Sequence, residues 1–566
     1  MRTYLKYLPA FTVLALFVAT LISLPQLDYV ESNVYFYLEH LPLVYYFSLI
    51  VSIAVALLSK HKLTKLFSAC VTALLIIWTP SVMLVQPWQL DSYPFVAEPI
   101  FVARTGHLGD IHYLSDNPVL GLIFGPLMLV TGISPITLLK LYPAFLALIL
   151  VAFVYAIINL LKLGTQASVV GALLLSTLFW PNIFHFSRFG FSLIYYLMCW
   201  FFLALLLFRG FDRRIFALLI FSIVVFTLSH PATPLFFLLS LATVTVIAWL
   251  SRKVKPKELK LLSISLAVSS VMWLLFNMTG SNSGDAFYTL KELANKVLLS
   301  LSESQPEISG TNRIVTGHSI IYGQIIYVRL ALTAVVYASS LLIPLIMYKR
   351  LKDKKLLLVL SAWALSNTLI TVPIFFAGLP YFDHPTSLAI ISWVPLAVIV
   401  FANHSKSKMK RLAQGFFIGV ILVSSMLIPL TKYAPILMEY PPSKELASTL
   451  FRDTYGTNQT FYVYFEDPAY LYVYIVQGYE RHMLSIRPWT AFIPGEGLNQ
   501  TMVEGLSFWV TSRLLARDSL ISQTPSWSEI TDNVTAQLPA TTYNKVYDSG
   551  LPESIYIPRN STKSLP

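Results

Sequence analysis

The chain has 566 residues, of which 56% are hydrophobic and only 12% are charged, and its formal net charge is +12. A mean hydropathy of +0.67 is too high for a soluble globular protein, so that class is excluded. The basic residues stand in short loops between apolar blocks rather than on one face, which argues against a nucleic-acid partner. Both cysteines, Cys70 and Cys199, lie inside apolar blocks, so no disulfide framework or cysteine metal site is expected.

Apolar blocks recur along the chain at lengths close to the roughly 20 residues that a helix needs to cross a membrane. Lys and Arg are retained in cytoplasmic loops, and seven short clusters hold 23 of the 40 basic residues. An all-α polytopic membrane bundle of about thirteen helices follows, with a cytoplasmic amino terminus. The predicted helices lie at roughly residues 8–25, 41–59, 66–84, 141–161, 167–183, 190–208, 214–229, 233–251, 259–277, 327–348, 355–374, 385–402 and 411–431.

One apolar block breaks the alternation of charge. Pro118 to Gly132 is short and contains Gly and Pro, and a crossing there would move every later basic loop to the outside. We therefore predict an amphipathic surface helix in the first outer loop. Glycosylation sequons support this topology, since five of the six Asn-x-Ser/Thr sites, all except Asn403, fall outside the cytoplasm.

Three divisions of the chain are predicted. Residues 1–65 form an added transmembrane hairpin, and residues 66–431 form the main membrane domain with long outer loops at 85–140 and 278–326. Residues 432–566 form a small extracytoplasmic α/β domain. Strand-like runs are predicted at Thr460 to Phe465, Met483 to Arg487, Phe508 to Ser512 and Ser554 to Pro558, helices near Ser443 to Arg452 and Ala469 to Tyr479, and a hairpin turning at Gly550.

Ionisable residues gather at the predicted outer ends of the helices and are almost absent from their middles. This placement is expected, because a charge within a bilayer costs several kcal/mol. Each could be an ordinary interfacial residue, but together they indicate a polar outer cavity. The candidate substrate-binding residues are Glu98, His107, Arg188, His230, Asp383 and His384, and others on the same rim are Asp91, Arg104, Asp110, His112, Asp116, His185, Arg313 and His318.

A specific chemical role can be proposed for two of these residues. Asp91 follows a predicted helix end in QPWQLDSY and is either a general base for a hydroxyl acceptor or an interfacial helix cap. Arg188 in FHFSRFG is a lone positive charge outside, where it binds either phosphate oxygens or lipid headgroups.

The first outer loop, WQLDSYPFVAEPIFVARTGHL, resembles that of the glycosyltransferase C superfamily, which includes protein mannosyltransferases and aminoarabinose transferases. The resemblance continues through a Pro-containing block ending VTG, then LYPAFLALILVAFVYAI, FSRFGFSLIYYL and the turn LSHP. It covers most of the chain from about Leu66. The composition also favours an archaeal source.

That resemblance implies an inverting transferase of the cell membrane, which moves a sugar from a polyprenyl (dolichyl) phosphate donor to a glycan, protein or lipid acceptor outside. Asp91 would be its catalytic base, and Arg188 and His230 would meet the leaving phosphate. The sequence departs from the family in lacking a clean Asp-x-Asp pair, so Asp110 and Asp116 remain rival acids. It also lacks the oligosaccharyltransferase sequence Trp-Trp-Asp-Tyr-Gly, which argues against one-step oligosaccharide transfer to asparagine.

No metal cofactor is specified by the sequence. The carboxylates of Asp91, Glu98, Asp110 and Asp116 are oxygen ligands that suit Mg²⁺ or Mn²⁺, but their spacing is unspecific. A non-catalytic membrane scaffold of the same fold is the second hypothesis. A lipid or solute transporter is the third, although the polar mid-membrane groups and repeats that it needs are not detected.

Overall fold

The computed structural model describes residues 7–29, 35–89, 92–108, 118–179, 181, 184–279, 320–348, 353–376, 383–402 and 408–433, together with seven short strands beyond residue 460. Seventeen helices lie within these ranges. They are α1 Leu8–Ser23, α2 Phe36–Glu39, α3 Leu43–Leu58, α4 Lys62–Ile77, α5 Thr79–Met83, α6 Ser92–Thr105, α7 Val119–Thr131, α8 Pro135–Leu160, α9 Thr165–Leu178, α10 Arg188–Arg209, α11 Arg213–Ser229, α12 Ala232–Ser251, α13 Pro256–Thr279, α14 Ile320–Tyr348, α15 Lys354–Phe376, α16 Asp383–Ala402 and α17 Lys408–Tyr433.

Each of the thirteen predicted membrane segments overlaps a helix of the structure. Within the described residues, α8, α10, α12, α13, α14 and α16 contain apolar stretches long enough to cross a membrane, and α1, α3, α7, α9 and α17 contain shorter ones. The chain is therefore a multi-pass membrane protein. The count of thirteen crossings and the orientation of the termini remain predictions.

The third predicted segment, 66–84, is divided into α4 and the short α5. The division falls at Trp78, two residues before Pro80. Proline has no backbone N–H and its ring clashes with the carbonyl four residues earlier, so a helix bends or stops there. The break comes just before the loop that is predicted to lie outside the cytoplasm.

Residues 118–132 form the short helix α7, as the sequence predicts. It spans 13 residues, starts after Pro118, and ends at Gly132, whose φ of 66° is left-handed. Glycine takes this conformation without a Cβ clash and commonly ends helices. One face of α7 packs on α6, while Leu122, Leu129 and Val130 on other positions are exposed.

The carboxy-terminal strands form a mixed sheet and a separate two-stranded pair. The strands are β1 Phe461–Tyr464, β2 Ile486–Trp489, β3 Phe492–Ile493, β4 Gly497–Leu498, β5 Ser507–Val510, β6 Tyr543–Asp548 and β7 Ser554–Pro558. The sheet order is β2-β1-β5-β7-β6, and β1 pairs in parallel with both β2 and β5. Strands β6 and β7 are antiparallel and flank Gly550, as the predicted hairpin requires. The two predicted helices of this region lie outside the described residues, so the α/β assignment remains a prediction.

The membrane core is tightest around α9, every residue of which from Ala167 to Leu178 is buried. A Cβ placed on Gly171 would lie 2.2 Å from Ile158 Cδ1 and 3.3 Å from side-chain atoms of Val394 and Val398. The absence of a side chain at Gly171 therefore allows α8, α9 and α16 to pack closely.

We predict that Gly171→Val destabilises the protein by about 1–3 kcal/mol, because overpacking a dense core forces neighbouring side chains to move. The matched control is Gly419→Val, since a Cβ on Gly419 would meet no atom within 4 Å. Thermal melting in detergent measures both. Equal losses in the two variants would contradict close packing at Gly171.

Candidate anion site at the outer helix ends

Asp91 itself lies outside the described residues, but both of its flanks are described. On the amino side the chain is described to Gln89, and on the carboxyl side Ser92 begins α6 and is buried. The backbone N–H of Ser92 donates to the Gln89 carbonyl at 3.1 Å. Neither the base role of Asp91 nor its alternative as a helix cap is tested by these contacts.

Arg188 begins α10 and is buried, with its side chain only 6% exposed. The helix starts here because Ser187 has extended backbone dihedrals and its side chain accepts from the Gly190 N–H at 3.0 Å, which is the usual N-cap arrangement. The guanidinium carbon lies 5.7 Å from the centre of the Phe95 ring, within cation–π range. The structure thus places this outer cation inside the protein and not at its lipid surface.

Glu98 provides a counter-charge. Its Oε2 atom lies 3.9 Å from Arg188 Nη2, and its side chain is 6% exposed. Within the described residues, neither Glu98 carboxylate oxygen has a hydrogen bond of ordinary geometry. The described contact between Glu98 and Arg188 is therefore electrostatic and is not a bidentate hydrogen-bonded pair.

The Glu98 side chain packs directly against Gly121 of α7, where a larger residue would not fit. A Cβ on Gly121 would lie 2.8 Å from both Cγ and Oε1 of Glu98. One turn further along α7, a Cβ on Gly125 would meet Val102 at 2.8 Å. These two glycines on one face of α7 let α6 approach closely, and they bring the Glu98 carboxyl group to Arg188.

Burial raises the pKa of Glu98 from 4.5 to about 7, and the nearby Arg188 guanidinium and the backbone of Gly121 only partly oppose this shift. Removal from water disfavours the ionised carboxylate more than one loosely placed cation stabilises it. Glu98 consequently changes its charge near neutral pH.

His230 lies in the turn between α11 and α12 and caps α12. Its Nδ1 atom accepts from the backbone N–H groups of Ala232 at 3.2 Å and Thr233 at 3.1 Å, and the Thr233 hydroxyl lies 2.8 Å away. Because a backbone N–H can only donate, Nδ1 carries no proton and the neutral ring has its proton on Nε2. Burial, followed by the nearby His384 and Arg188, lowers the pKa of His230 well below 6.5, so the ring is neutral at physiological pH.

The first turns of three helices meet around Phe189, the second residue of α10. The ring of His384, on the first turn of α16, stacks on Phe189 with centroids 3.7 Å apart. The ring of His230, just before α12, lies 5.7 Å from Phe189 and 5.5 Å from His384. The amino-terminal ends of α10, α12 and α16 therefore converge beside Arg188.

The structure brings together Glu98, Arg188, His230 and His384 of the predicted residues. His107 is exposed at the end of α6, where its described contacts are with Thr105 and Phe101. Asp383 begins α16, but its side chain is not described. The rival acids Asp110 and Asp116 lie outside the described residues.

Sequence reasoning did not assign the groups that support this site. Phe95, Phe189 and Gly121 looked like ordinary apolar helix residues, and nothing local distinguishes them. His185 is 9% exposed and was recognised only as one of many rim histidines. Its place three residues before Arg188 in FHFSR is a signal that could have selected it.

The described residues contain no group of three or more His, Cys, Asp or Glu side chains that could hold a metal ion. Glu98 faces the Arg188 guanidinium, and an adjacent positive charge disfavours a second cation. The other three carboxylates considered for Mg²⁺ or Mn²⁺ are not described, so a metal there remains a prediction.

We predict that Glu98→Gln flattens the dependence of stability on pH. A carboxyl group whose pKa rises on folding binds more protons folded than unfolded, so its stabilising contribution is complete below about pH 4.5 and is lost as pH rises through about 7. The full loss is roughly 3 kcal/mol at 1.36 kcal/mol per pKa unit. Melting of both proteins between pH 5 and 8 should show similar stabilities at pH 5 and a steeper decline in the wild type. Parallel curves would contradict the raised pKa.

No protein-family model matches the sequence, and no curated protein is significantly similar to it. The fold is similar to two structures of the Archaeoglobus fulgidus oligosaccharyltransferase. One is AglB in complex with an inhibitory peptide and a dolichol-phosphate, with a TM-score of 0.46, 14% identity, and coverage of 76% of this chain and 61% of that one. The other is a complex with Zn and sulfate, with a TM-score of 0.44, 14% identity, and coverage of 75% and 58%. The chain thus spans about three fifths of the length of these structural neighbours.

Proposed function

We propose that the protein is an inverting glycosyltransferase that moves a sugar from a polyprenyl phosphate to a hydroxyl acceptor on the outer face of the membrane. In the reaction, the acceptor oxygen attacks the anomeric carbon of the sugar as the bond from that carbon to the phosphate oxygen breaks. Asp91 removes the acceptor proton, and the lipid phosphate leaves with the bonding electrons. Attack opposite the leaving group inverts the anomeric configuration.

The observation that carries this proposal is the meeting of three helix amino termini beside a buried arginine. A helix amino terminus carries about half a positive charge and unsatisfied N–H groups, and it favours anions. Phe189, His230 and His384 join the ends of α10, α12 and α16. A lipid phosphate is an anion that a membrane protein readily meets.

Two side chains have the chemistry that a leaving phosphate needs. The Arg188 guanidinium presents several N–H donors and stabilises charge as it develops on phosphate oxygens. The neutral His230 ring has its proton on Nε2, so it offers one N–H donor whose availability does not depend on pH in the neutral range. Glu98 beside Arg188 limits the net positive charge of the site.

The base is assigned to Asp91 on the strength of the resemblance and of its place next to α6. Seven residues on, which is two helical turns, α6 carries Glu98 in contact with Arg188. The helix that follows Asp91 therefore reaches the proposed phosphate site directly. The acceptor remains open among glycans, proteins and lipids, and a dolichyl chain is the proposed lipid of the donor.

The primary test compares wild type with Asp91→Asn. Both proteins are purified in detergent and incubated with a panel of polyprenyl-phosphate hexoses and a membrane extract, and release of polyprenyl phosphate is measured. We expect the variant to lose turnover by about 10²-fold or more, because asparagine keeps the size but cannot accept a proton. The melting temperature should be unchanged.

Asp110→Asn and Asp116→Asn serve as matched controls for removing one outer-loop carboxylate. Turnover kept in Asp91→Asn but lost in either control would move the base to that residue. Turnover absent from the wild type with every donor would favour the non-catalytic scaffold.

A second prediction concerns the Glu98–Arg188 pair. Gly121→Ala should raise the KM for the donor, because its new methyl group displaces the Glu98 carboxyl group that faces Arg188. Gly125→Ala perturbs the same helix contact through Val102 and the Pro99 carbonyl, and it should leave KM close to the wild-type value. Steady-state kinetics on both variants, at matched melting temperature, measures the difference. Equal KM changes would show that only the α6–α7 packing matters.

A further inference from the structure

The amino-terminal hairpin of α1 and α3 is attached to the main membrane domain by polar contacts. The Thr20 and Ser48 hydroxyls lie 2.7 Å apart and join α1 to α3. The Ser52 and Thr72 hydroxyls lie 2.9 Å apart and join α3 to α4. All four side chains are buried. The hairpin is therefore packed on α4 in a defined register.

At the end of α1, the chain pairs with the start of the first outer loop. The Leu27 N–H donates to the Met83 carbonyl at 2.9 Å, and the Val85 N–H donates to the Leu27 carbonyl at 3.0 Å. The Gln26 side-chain amide donates to the Val82 carbonyl at 2.8 Å. Leu27 and Leu84 thus form a short parallel bridge, and this bridge extends the helical bundle into the loop that leads to Asp91.

Lys140, on the second turn of α8, holds the other side of the same segment. Its ammonium group donates to the carbonyls of Leu84 at 2.9 Å and Val85 at 3.3 Å. Its own carbonyl accepts from the Trp78 indole N–H at 2.9 Å. Lysine side chains commonly satisfy carbonyls that a helix end leaves unpaired, and here the helix is α5.

The chain remains anchored between this pairing and α6. The Tyr93 hydroxyl donates to the Pro87 carbonyl at 3.3 Å, and Trp88 and Gln89 are buried. Segment 82–89 is thus held at its start by Gln26 and Leu27, which follow α1, and by Lys140 of α8, and at its end by Tyr93 of α6. Only two residues, 90 and 91, separate its end from the first residue of α6.

We propose that Gln26 and Lys140 are positioning residues that fix segment 82–89, and through it the base of the proposed transferase. The amino-terminal hairpin is then part of the catalytic machinery and not a dispensable addition. This inference rests on the proposed function for its effect on turnover. The structural part, a clamp on segment 82–89, stands on the hydrogen bonds alone.

A purely structural role would predict a different outcome. If the bonds only end α5 and seat the hairpin, their loss lowers stability and leaves the reaction of the folded protein unchanged. If they position a base, small displacements matter, because moving a catalytic group by 1 Å can lower the reaction rate by about 10²-fold. The folded variant then loses kcat, while its KM for the lipid donor stays near the wild-type value.

The experiment uses the full-length protein with two variants and one control. Gln26→Ala removes one bond to the segment, and Lys140→Met removes two while keeping most of the side-chain volume. The matched control is Lys65→Met. Lys65 also donates to a backbone carbonyl, that of Leu57 at the carboxyl end of α3, and to Gln166, but these bonds do not involve segment 82–89. Lys140→Arg restores donors at the same place and tests rescue.

Two readouts are taken on each protein: amide hydrogen exchange of peptides covering residues 82–89, and kcat and KM with a polyprenyl-phosphate hexose. We expect faster exchange and a kcat reduced about tenfold in Gln26→Ala and Lys140→Met. Lys65→Met should match the wild type in both, and Lys140→Arg should recover part of kcat.

Unchanged exchange in both variants would overturn the clamp, and faster exchange with unchanged kcat would overturn its positioning role. A wild type without turnover would overturn the proposed function instead. In that case hydrogen exchange alone decides whether the clamp exists.

Discussion

The burial of Arg188 is the constraint on which the outer site depends. A guanidinium cannot lose its proton at any ordinary pH, so its charge must be met by surrounding groups. The groups around it include Glu98 at 3.9 Å and the ring of Phe95. Both lie on α6, the helix that follows Asp91. The position of α6 is thereby tied to the start of α10, and Gly121 on α7 must stay small for the contact to exist.

Stability alone does not explain the buried pair of Glu98 and Arg188. A buried ion pair contributes little net stability unless hydrogen bonds complete it, and an apolar pair of similar volume would often be as stable. Among the described residues, no such bond reaches the Glu98 oxygens, and burial raises the pKa of this carboxyl group to about 7. In the proposed function the Arg188 charge has a further use, which is to bind an anionic substrate.

Local signals explain why two of these helices begin beside Arg188. Ser187 caps α10 with its hydroxyl group, and His230 caps α12 with a ring nitrogen, so each helix begins immediately at the site. The turn before α12 consists of only His230 and Pro231, and proline is favoured where a helix begins. A histidine in this role satisfies the helix with Nδ1 and leaves Nε2–H for a ligand, which a serine or aspartate cap would not do.

Much of the helical framework follows from hydropathy and charge, and the departures have physical causes. The interruption after Trp78 comes from Pro80, which a hydropathy average does not register. Arg188 stood out because a lone outer cation violates the charge rule. Its pairing with Glu98 was not predictable, because the two residues are 90 positions apart and no local pattern relates them. The role of Gly121 was not predictable either, because it depends on the Glu98 side chain that packs against it from another helix.

The contacts of Lys140 extend this argument from the phosphate to the acceptor side. Transfer requires two fixed points, one for the leaving phosphate and one for the base, and their separation must hold while a flexible lipid enters. Arg188 is fixed by α10 and by its contact with α6. Segment 82–89 is fixed by Gln26, which follows α1, by Lys140 of α8 and by Tyr93 of α6. Helix α6 takes part in both, so any movement that loosens one point is transmitted to the other, and the two halves of the proposed site are held as one unit.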